Sequence, residues 1–453
     1  KDLLAEILNG IEERESELLV WGDTGGFFSE EELIDLIEEI TNKKKNRDKY
    51  DADDLDADAL IDELVDCAMI FPEIGGADLY RSRMAWAVHL YKNLRQWFHG
   101  KNITESKTLV SDFRFLRKPR HYPDRNISGS QLLSAWQANG LTNEIQSKIL
   151  QVLIGDFQLS GFQARATEDI LSKIPSSRRR RPTASIICAG TGSGKTNAFY
   201  WPALTNIAAD VLSTSDTRLR ALAVYPRIEL LKDQFNEAWH QCRRLDAVMV
   251  ANGGRKIRIS ALFGDTIHTL GKVKDSDKSY FSFNYLKCAT PKCRGEMRWN
   301  RSDFERGIER LACNKCDFDV TEDQISLTRE SMKKTPPDIL FTTTEMLNFK
   351  MSDPYYRNLF GFRSRHPVPL VLMDEVHTYS GEGGANIAFL LRRWMKMAKM
   401  APHFVGLSAT LVDAEAFFAR LTGSEQYNTQ LIEPLDKEMI EEGSEYLLAL
   451  RGD

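Results

Sequence analysis

The sequence predicts an α/β protein built on a parallel sheet with helices on both faces. Apolar runs suited to buried strands recur between residues 184 and 408, and segments long enough for helices separate them. Three of these runs end in polar residues of the kind that binds phosphate or metal ions. Because the carboxyl ends of parallel strands share one edge of a sheet, we expect these residues to meet there. The three polar segments are Ala189–Thr196, Asp374–His377 and Ser408–Thr410.

The composition is that of an ordinary soluble globular protein. The 453 residues are 42% hydrophobic and 28% charged, and their number suits two or three domains. No uncharged apolar run approaches the roughly 20 residues of a membrane helix, and the N-terminus lacks a signal-peptide pattern. Seven cysteines, four of them in spaced pairs, favour a reducing compartment and a metal over disulfides. We therefore expect a cytoplasmic protein with no membrane partner.

The charge is divided unevenly along the chain. Residues 1–80 carry 7 Lys and Arg against 24 Asp and Glu, whereas the remainder carries 53 against 41. This asymmetry indicates an acidic head and a body that binds a polyanion. In the head, Ser29 and Glu32 predict a capping box at a helix start, and a later helix is expected from about Tyr80 to Phe98. Its helices, short strand and glycine turn resemble a winged-helix module, and its acidic second helix favours protein docking over DNA.

Basic and aromatic side chains interleave between residues 107 and 126. This pattern is typical of a segment that grips a nucleic-acid backbone and stacks bases. It is equally typical of a solvated linker laid across the core. The sequence leaves both interpretations open.

The turn Ala189–Thr196 has the composition of a phosphate-binding loop. Its glycines allow successive backbone N–H groups to converge on an anion, and the helix that follows adds a partial positive charge. We expect Lys195 to reach the β- and γ-phosphates of a nucleotide and the Thr196 hydroxyl to bind Mg²⁺. The predicted nucleotide-binding residues are Gln163, Arg165, Ala189, Gly190, Thr191, Gly192, Ser193, Gly194, Lys195 and Thr196.

Gln163 precedes Ala189 by 26 residues and lies near the start of a predicted helix. A glutamine in this place can form a two-point hydrogen bond to the adenine edge, and Arg165 could assist. A glutamine on a helix surface is the more common alternative.

The acidic pair after the apolar run Leu370–Met373 is the second decisive feature. We expect Asp374 to hold Mg²⁺ and Glu375 to polarise the attacking water, with His377 completing the segment. Ser408 and Thr410 end another strand and are suited to sensing the nucleotide. The predicted catalytic residues are Lys195, Thr196, Asp374, Glu375, His377, Ser408 and Thr410.

Three further strands, at residues 221–225, 259–263 and 338–344, end in groups that could hold a nucleic-acid strand. Backbone amides, hydroxyls and a guanidinium at one sheet edge can bind phosphates without reading sequence. The predicted nucleic-acid-binding residues are Arg227, Gly264, Thr266, Thr342, Thr343 and Thr344.

Four segments together resemble motifs I, Ia, II and III of superfamily-2 helicases of the DEAD/DEAH type. They are Ala189–Thr196, Pro226–Gln234, Asp374–His377 and Ser408–Thr410. The resemblance covers about Gly161 to Gly423 and implies the first RecA-like ATPase lobe, with ATP and Mg²⁺ as cofactors.

Asp374–Gly381 and Leu390–Arg393 resemble a narrower group, the bacterial mitomycin-repair helicases and the helicases of antiphage systems such as DISARM and Druantia. That resemblance implies DNA rather than RNA as substrate, 3′-to-5′ travel, and protein partners in a defence or repair complex. Two alternatives remain open. One is an ATP-switched DNA clamp that recruits partners without unwinding, and the other is an RNA helicase.

The family's second lobe, with its arginine finger, does not follow Gly423, so we expect this segment to bind ATP but to hydrolyse it poorly alone. The chain begins with Lys1, and we interpret it as part of a longer protein. The expected parts are an acidic, helical, winged-helix-like module (1–106), a basic linker with helices (107–155), the RecA-like ATPase lobe (156–430) and the helical start of a connection to the second lobe (431–453).

Four cysteines lie in an insertion within the ATPase lobe, expected over residues 267–335. Cys288 and Cys293, then Cys313 and Cys316, have the spacing of two zinc knuckles and predict a tetrahedral Cys₄ site in a zinc-ribbon-like fold. Free buried cysteines are the alternative. Because so short an insertion should have little core of its own, we expect the zinc to be structural.

Overall fold

The computed structural model describes residues 2–42, 56–73, 79–97, 99–100, 102–174, 181–214, 216–274, 277–362, 364, 366, 368–409 and 411–452. The chain divides into two compact units. One consists of residues 1–121 and 441–453, and the other of residues 122–440. Across the described ranges, no helix combines the length and the apolarity that crossing a membrane requires.

The smaller unit begins with a helical module that carries a three-stranded antiparallel sheet. The sheet order is β1-β3-β2, and the elements follow one another in the order helix, strand, helix, helix, strand, strand, helix. The expected capping box at Ser29 and Glu32 is present. The elements are α1 (Asp2–Val20), β1 (Phe28–Ser29), α2 (Glu30–Thr41), α3 (Ala57–Asp66), β2 (Ile70–Pro72), β3 (Leu79–Ser82) and α4 (Arg83–Lys92).

The last helix of this module is shorter than predicted. Tyr80 and Arg81 pair with the preceding strand at Pro72 and Phe71, so the expected start at Tyr80 is wrong. The helix begins only after Ser82, whose side chain accepts a hydrogen bond from the Ala85 N–H and caps it.

Two long strands complete the smaller unit. β4 (Val110–Pro123) and β18 (Met439–Gly452) pair as a two-stranded sheet. The basic and aromatic stretch is therefore largely strand, with Phe113 and Phe115 buried at a spacing of two. The helix expected over 431–453 is wrong, because this segment takes its backbone partners from β4.

The larger unit starts with elements that the sequence analysis assigned to a linker. Trp136, Ile149 and Leu153 on these helices join the same hydrophobic cluster as the central sheet, so they belong to the α/β lobe. The elements are β5 (Arg125–Ser128), α5 (Gly129–Ala138), α6 (Glu144–Ile154), β6 (Gln158–Ser160) and α7 (Gly161–Lys173).

The central sheet has seven strands in the order β17-β7-β16-β15-β8-β14-β9. Every neighbouring pair in it is parallel. Both faces are covered, since Ile187 packs into one hydrophobic cluster and Ile186 into the other. The strands are β7 (Thr183–Cys188), β8 (Ala221–Tyr225), β9 (Ile259–Leu262), β14 (Ile339–Thr343), β15 (Leu370–Met373), β16 (His403–Ser408) and β17 (Thr429–Ile432).

Five of the described helices connect strands of the central sheet and cover it. α8 and α9 contribute to the first hydrophobic cluster, and the remaining three contribute to the second. The predicted α/β architecture with helices on both faces is confirmed. The helices are α8 (Lys195–Ser213), α9 (Ile228–Ala251), α13 (Thr344–Met351), α14 (Gly381–Ala398) and α15 (Ala414–Thr422).

The insertion between β9 and β14 contains a four-stranded antiparallel sheet in the order β10-β11-β12-β13. Contrary to expectation it has a core, because Met297, Trp299 and Phe304 are fully buried and join the main cluster. The elements are α10 (Leu270–Lys274), β10 (Tyr280–Lys287), β11 (Glu296–Asn300), α11 (Arg301–Glu305), β12 (Leu311–Cys313), β13 (Asp319–Val320) and α12 (Arg329–Lys334).

Candidate nucleotide-binding site and metal centre

Three neighbouring strands bring the predicted nucleotide-binding segments together. β16 lies between β7 and β15, so the glycine-rich turn, Ser408 and Asp374 follow adjacent parallel strands at one sheet edge. The Ala189 N–H donates to the Ser408 carbonyl at 3.3 Å. The positive charge of Lys195 also acts on Asp374, where it favours the ionised carboxylate. The glycine-rich turn, Ser408 and Asp374 therefore lie at one edge of the sheet.

The glycine-rich turn is held by its own backbone. Gly192 and Gly194 adopt left-handed conformations with φ of 84° and 85°, which a residue with a Cβ adopts only at a cost. Ser193 donates from its N–H and its hydroxyl to the Gly190 carbonyl, at 3.3 and 2.7 Å. Lys195 Nζ lies 3.5 Å from the Ala189 carbonyl and folds back over the turn. Thr196 follows in the first turn of α8 and is half-buried.

The side-chain amide of Gln163 connects the glycine-rich turn to the start of α7 through two hydrogen bonds. Its Oε1 accepts the Ser160 N–H at 3.0 Å, and its Nε2 donates to the Gly194 carbonyl at 2.9 Å. The side chain is fully buried. The predicted two-point contact with adenine does not fit this conformation, because the amide is already engaged on both sides and has no path to a ligand.

Arg165 is committed to a neighbouring carboxylate. Its guanidinium binds both oxygens of Glu438, one of them at 2.9 Å, and also donates to the Glu433 carbonyl at 2.8 Å. The expected assistance to adenine recognition would require breaking this ion pair. In the present arrangement Arg165 ties α7 to the segment after β17.

Two residues near the glycine-rich turn were not singled out as nucleotide contacts by the sequence analysis. Arg125 donates to the Gly192 carbonyl at 3.1 Å and lies 5.1 Å from the centre of the Phe157 ring. The ring of Tyr122 approaches the same turn closely, since a Cβ at Gly192 would lie 3.1 Å from it. Both belong to the basic and aromatic stretch, which was the only local signal for them.

Asp374 is a buried acid. Burial, together with the nearby Glu375 carboxylate, raises its pKa to about 6. Three influences oppose this: the Glu375 N–H, which donates to Asp374 at 2.7 Å, and the charges of Lys195 and His377. A cation that binds beside such a buried carboxylate stabilises its ionised form.

Glu375 has a left-handed backbone, with φ of 48° and ψ of 45°. Such a conformation is costly for a non-glycine residue and is common where a side chain is presented to a ligand. Its Oε2 lies 3.3 Å from His377 Nδ1, and the same ring nitrogen lies 3.4 Å from the Ser408 hydroxyl. The three side chains therefore form a chain from β15 to β16. Thr410, predicted to act with Ser408, lies outside the described residues.

The predicted nucleic-acid contacts divide into two groups. Thr342 is fully buried and donates to the Leu262 carbonyl at 2.9 Å, so its prediction is wrong. The Thr266 hydroxyl donates to the Ala261 carbonyl and accepts the Phe263 N–H, both at 2.9 Å. It stabilises the turn that follows β9 and is not free to hold a strand.

The remaining predicted contacts lie at the expected edge. Arg227 and Gly264 are exposed after β8 and β9. Thr343 and Thr344 are both nearly buried; Thr343 caps α13 by accepting the Met346 N–H at 3.2 Å, and Thr344 begins that helix.

Arg329 organises this edge and was missed by the sequence analysis. It donates to the carbonyls of Phe263, Thr266 and Gly264 at 3.0, 3.0 and 2.7 Å. The arginine comes from α12, on the far side of the insertion, and no local sequence pattern indicates the contact.

The four insertion cysteines converge as predicted. Their sulphur atoms all lie within 4.8 Å of one another, with Cys288 and Cys316 3.5 Å apart and Cys293 and Cys313 3.8 Å apart. Tetrahedral zinc with Zn–S bonds of about 2.3 Å places its ligands about 3.8 Å apart, so the cluster fits zinc. The Lys315 N–H also points at the Cys313 sulphur, at 3.3 Å.

Comparisons with known proteins agree with this geometry. Residues 160–273 match the model of the DEAD/DEAH box helicase family. This part of the chain is therefore similar to DEAD/DEAH box helicases. The matched range includes the glycine-rich turn and the turn after β9, and Asp374 and Ser408 lie beyond it in the same sheet. The predicted superfamily-2 resemblance is confirmed.

The chain is also similar to curated proteins. It is 27% identical over 286 residues to the Druantia protein DruE of Escherichia coli (strain UMEA 4076-1), covering 52% of this chain and 16% of that protein. It is 34% identical over 104 residues to the Lhr helicase/uracil glycosylase of Escherichia coli (strain K12), covering 23% of this chain and 6% of that protein. The match thus spans about a sixth of the length of DruE and a smaller share of the Lhr protein.

A solved structure also resembles the chain. The DUF1998 helicase MrfA bound to DNA aligns with a TM-score of 0.43 and 17% identity, over 77% of this chain and 34% of that one.

Proposed function

We propose that this chain is the ATP-binding lobe of a DNA-dependent ATPase that unwinds or translocates on DNA. The observation that carries the proposal is the meeting of Lys195, Ser408 and Asp374 at adjacent strand ends of one parallel sheet. Superfamily-2 helicases bind and hydrolyse ATP at such an edge. The likeness to a Druantia protein favours a role in antiphage defence or DNA repair, together with protein partners. A cytoplasmic location suits that role.

Each side chain has a defined task in this proposal. Lys195 holds the β- and γ-phosphates, and the backbone amides of the glycine-rich turn surround them. Thr196 and Asp374 hold Mg²⁺, which would neutralise charge that develops during phosphoryl transfer. Glu375 orients and polarises the attacking water, and its contact with His377 fixes its direction.

The link from Glu375 through His377 to Ser408 offers a way to transmit the nucleotide state. Ser408 ends β16, whose neighbour β7 leads into the glycine-rich turn. A change in the charge near Glu375 on hydrolysis would alter the hydrogen bond between His377 and Ser408. An arginine supplied by a second lobe would complete the hydrolytic site, as in related motors.

The strand contacts support the nucleic-acid part of the proposal. Arg227, Gly264 and Thr344 follow strands whose carboxyl ends share the edge with the nucleotide site. Binding there would be governed by phosphate contacts and would therefore weaken with salt. We propose a structural zinc ion at the cysteine cluster, apart from these contacts.

The experiment that tests the function compares nucleic acids as activators. ATPase activity of the full-length protein is measured with single-stranded DNA, with single-stranded RNA and without either, alongside strand displacement. Stimulation by DNA with displacement supports a helicase. Stimulation by DNA without displacement indicates a translocase or the clamp alternative, and selective stimulation by RNA contradicts the DNA proposal. Lys195→Ala provides the inactive control.

A further inference from the structure

We propose that a basic and aromatic surface beside the turn after β9 binds a single-stranded nucleic acid. This lateral surface consists of Lys272, Lys333, Phe349, Lys350 and Tyr355. It extends the strand-binding edge, which is the sheet edge at Arg227, Gly264 and Thr344 where the proposed function places a nucleic-acid strand. The inference rests on that function. None of its residues belongs to the four motif segments on which the helicase resemblance rests.

The lateral surface is joined to the strand-binding edge by two short helices. Arg329 begins α12 and fixes the turn that contains Gly264. Lys333 lies four residues later, on the same side of α12 as Arg329. Lys350 lies near the end of α13, which begins at Thr344. A strand that passes Gly264 and Thr344 would therefore reach both lysines within one or two turns of helix.

The lysines of this surface lie close to one another. Burial lowers the pKa of His268, and the charges of Arg329, Lys272, Lys350 and Lys333 lower it further, so all four cations lie within electrostatic range of one histidine. Within the part of the chain that the structure describes, no ion pair involves Lys272, Lys333 or Lys350. Their charge is therefore available to phosphates, while Arg329 is engaged by backbone carbonyls.

The aromatic side chains are held next to these lysines. Lys333 and Lys350 each lie 5.1 Å from the centre of the nearly buried Tyr356 ring, which anchors both. Lys333 lies 5.9 Å from the Tyr355 ring, and Lys350 lies 4.7 Å from the Phe349 ring.

Tyr355 and Phe349 are unusually exposed. Tyr355 is 79% exposed and Phe349 is 72% exposed. Exposed rings among cations are the arrangement on which bases stack when a protein binds a single strand, because every base offers an aromatic face. The lysines would bind the backbone and the rings would bind the bases. Phosphates alone would not require the rings, so we assign a single strand rather than a duplex or another polyanion.

The expected effects can be stated for each class of residue. Lys333→Gln and Lys350→Gln keep the length of the side chain and remove its charge. Each should reduce the steepness of the dependence of log affinity on log salt by about 0.7, the value for one phosphate contact with a single strand. Tyr355→Ala should lower affinity about 5- to 150-fold, the range for loss of one stacked base.

The experiment measures binding of the full-length protein to a fluorescent single-stranded oligonucleotide by anisotropy, over a range of salt concentrations. Lys396→Gln is the matched control, because Lys396 is exposed near the end of α14, which leads to the opposite edge of the sheet. Lys333→Arg and Lys350→Arg keep the positive charge, so these variants should show the wild-type salt dependence. Thermal unfolding of each variant is measured in parallel.

The outcomes separate this inference from the proposed function. Weaker binding and a shallower salt dependence in the glutamine variants, with the control unchanged, support the lateral surface. Wild-type affinity and salt dependence in these variants and in Tyr355→Ala overturn it and leave the proposed function intact. If the wild-type protein binds neither DNA nor RNA, the proposed function fails as well.

Discussion

Gln163 donates a hydrogen bond to the carbonyl of Gly194 at 2.9 Å, although 31 positions separate the two residues in the chain. Gly194 immediately precedes Lys195, so the bond fixes the turn at the point where the phosphate-binding lysine emerges. The same amide accepts the Ser160 N–H and caps α7. One buried side chain thus connects the start of α7 to the nucleotide site.

Replacement of Gln163 by Ala should weaken nucleotide binding through the shape of the turn. Loss of one hydrogen bond worth about 0.5–1.5 kcal/mol predicts an affinity about 2- to 13-fold lower. Because the amide does not reach a base, ATP and GTP should lose affinity by the same factor. Equilibrium binding of fluorescent ATP and GTP analogues measures both, and Gln151→Ala, at an exposed position on α6, serves as the control. A loss confined to ATP would show that Gln163 reads adenine after all.

Lys195→Ala and Glu375→Gln should separate binding from hydrolysis. Lys195→Ala removes the cation that holds the phosphates, so nucleotide binding should be abolished. Glu375→Gln keeps the shape of the site but removes the group that polarises water, and turnover should fall about 10²- to 10⁴-fold while ATP stays bound. Binding and steady-state ATPase assays on the full-length protein measure the two effects. Normal hydrolysis by Glu375→Gln would exclude the role given to that carboxylate.

Local patterns were sufficient to predict the centre of the site. Lys195, Asp374 and Ser408 each follow an apolar strand, and parallel strands place their carboxyl ends together. The cysteine cluster was predictable for a similar reason, since ligand spacing reports metal geometry directly.

Residues whose role depends on distant partners were not predictable. Arg329 binds Gly264 across 65 positions, and Arg125 binds Gly192 across 67. Thr342 carries a hydroxyl at a strand end, but only the pairing of β14 with β9 shows that the hydroxyl points at Leu262 rather than at solvent.

The C-terminal strand illustrates the same limit. The apolar run Leu447–Leu450 suits a helix as well as a strand, and its period does not decide between them. Its backbone partner lies in β4, more than 300 residues earlier, where the Ser111 hydroxyl donates to the Arg451 carbonyl at 3.2 Å. Long-range pairing therefore overrides the local preference.

Removal of zinc should loosen the insertion without unfolding the lobe. Met297 and Trp299 stay buried against the main core, and Trp239 of α9 donates to the Lys287 carbonyl at 3.2 Å. A chelator should therefore release about one zinc per chain and increase hydrogen exchange mainly over residues 288–320. Exchange in the central sheet should stay close to that of the untreated protein.

Cys316→Ser should reproduce the effect of the chelator, whereas Cys67→Ser, at an exposed cysteine outside the insertion, should not. Mass spectrometry of exchanged peptides locates the change, and metal analysis counts the zinc. Collapse of the entire ATPase lobe on chelation would contradict the assignment of a locally acting structural ion. A preparation that contains no zinc and shows no change would contradict the metal site itself.

Glu15 should make the stability of the smaller unit depend on pH. It is buried and accepts hydrogen bonds from the Ser82 N–H, at 2.8 Å, and from the Ser82 hydroxyl. Burial raises its pKa from 4.5 to about 7, against the effect of these hydrogen bonds. The folded unit therefore keeps a proton that the unfolded chain loses between about pH 4.5 and 7, and stability should fall as the pH rises through that window.

Glu15→Gln carries no titrating proton, so it should stabilise the unit relative to wild type at pH 8 and have little effect at pH 5. The expected difference is roughly 1–3 kcal/mol, since one pKa unit corresponds to about 1.4 kcal/mol and relaxation around a buried charge reduces the full value. Calorimetric unfolding of both proteins at the two pH values measures it, with Glu17→Gln, at an exposed position of α1, as the control. If the benefit of Glu15→Gln is equal at pH 5 and pH 8, then its cause is packing, and the buried carboxylate does not set the pH dependence.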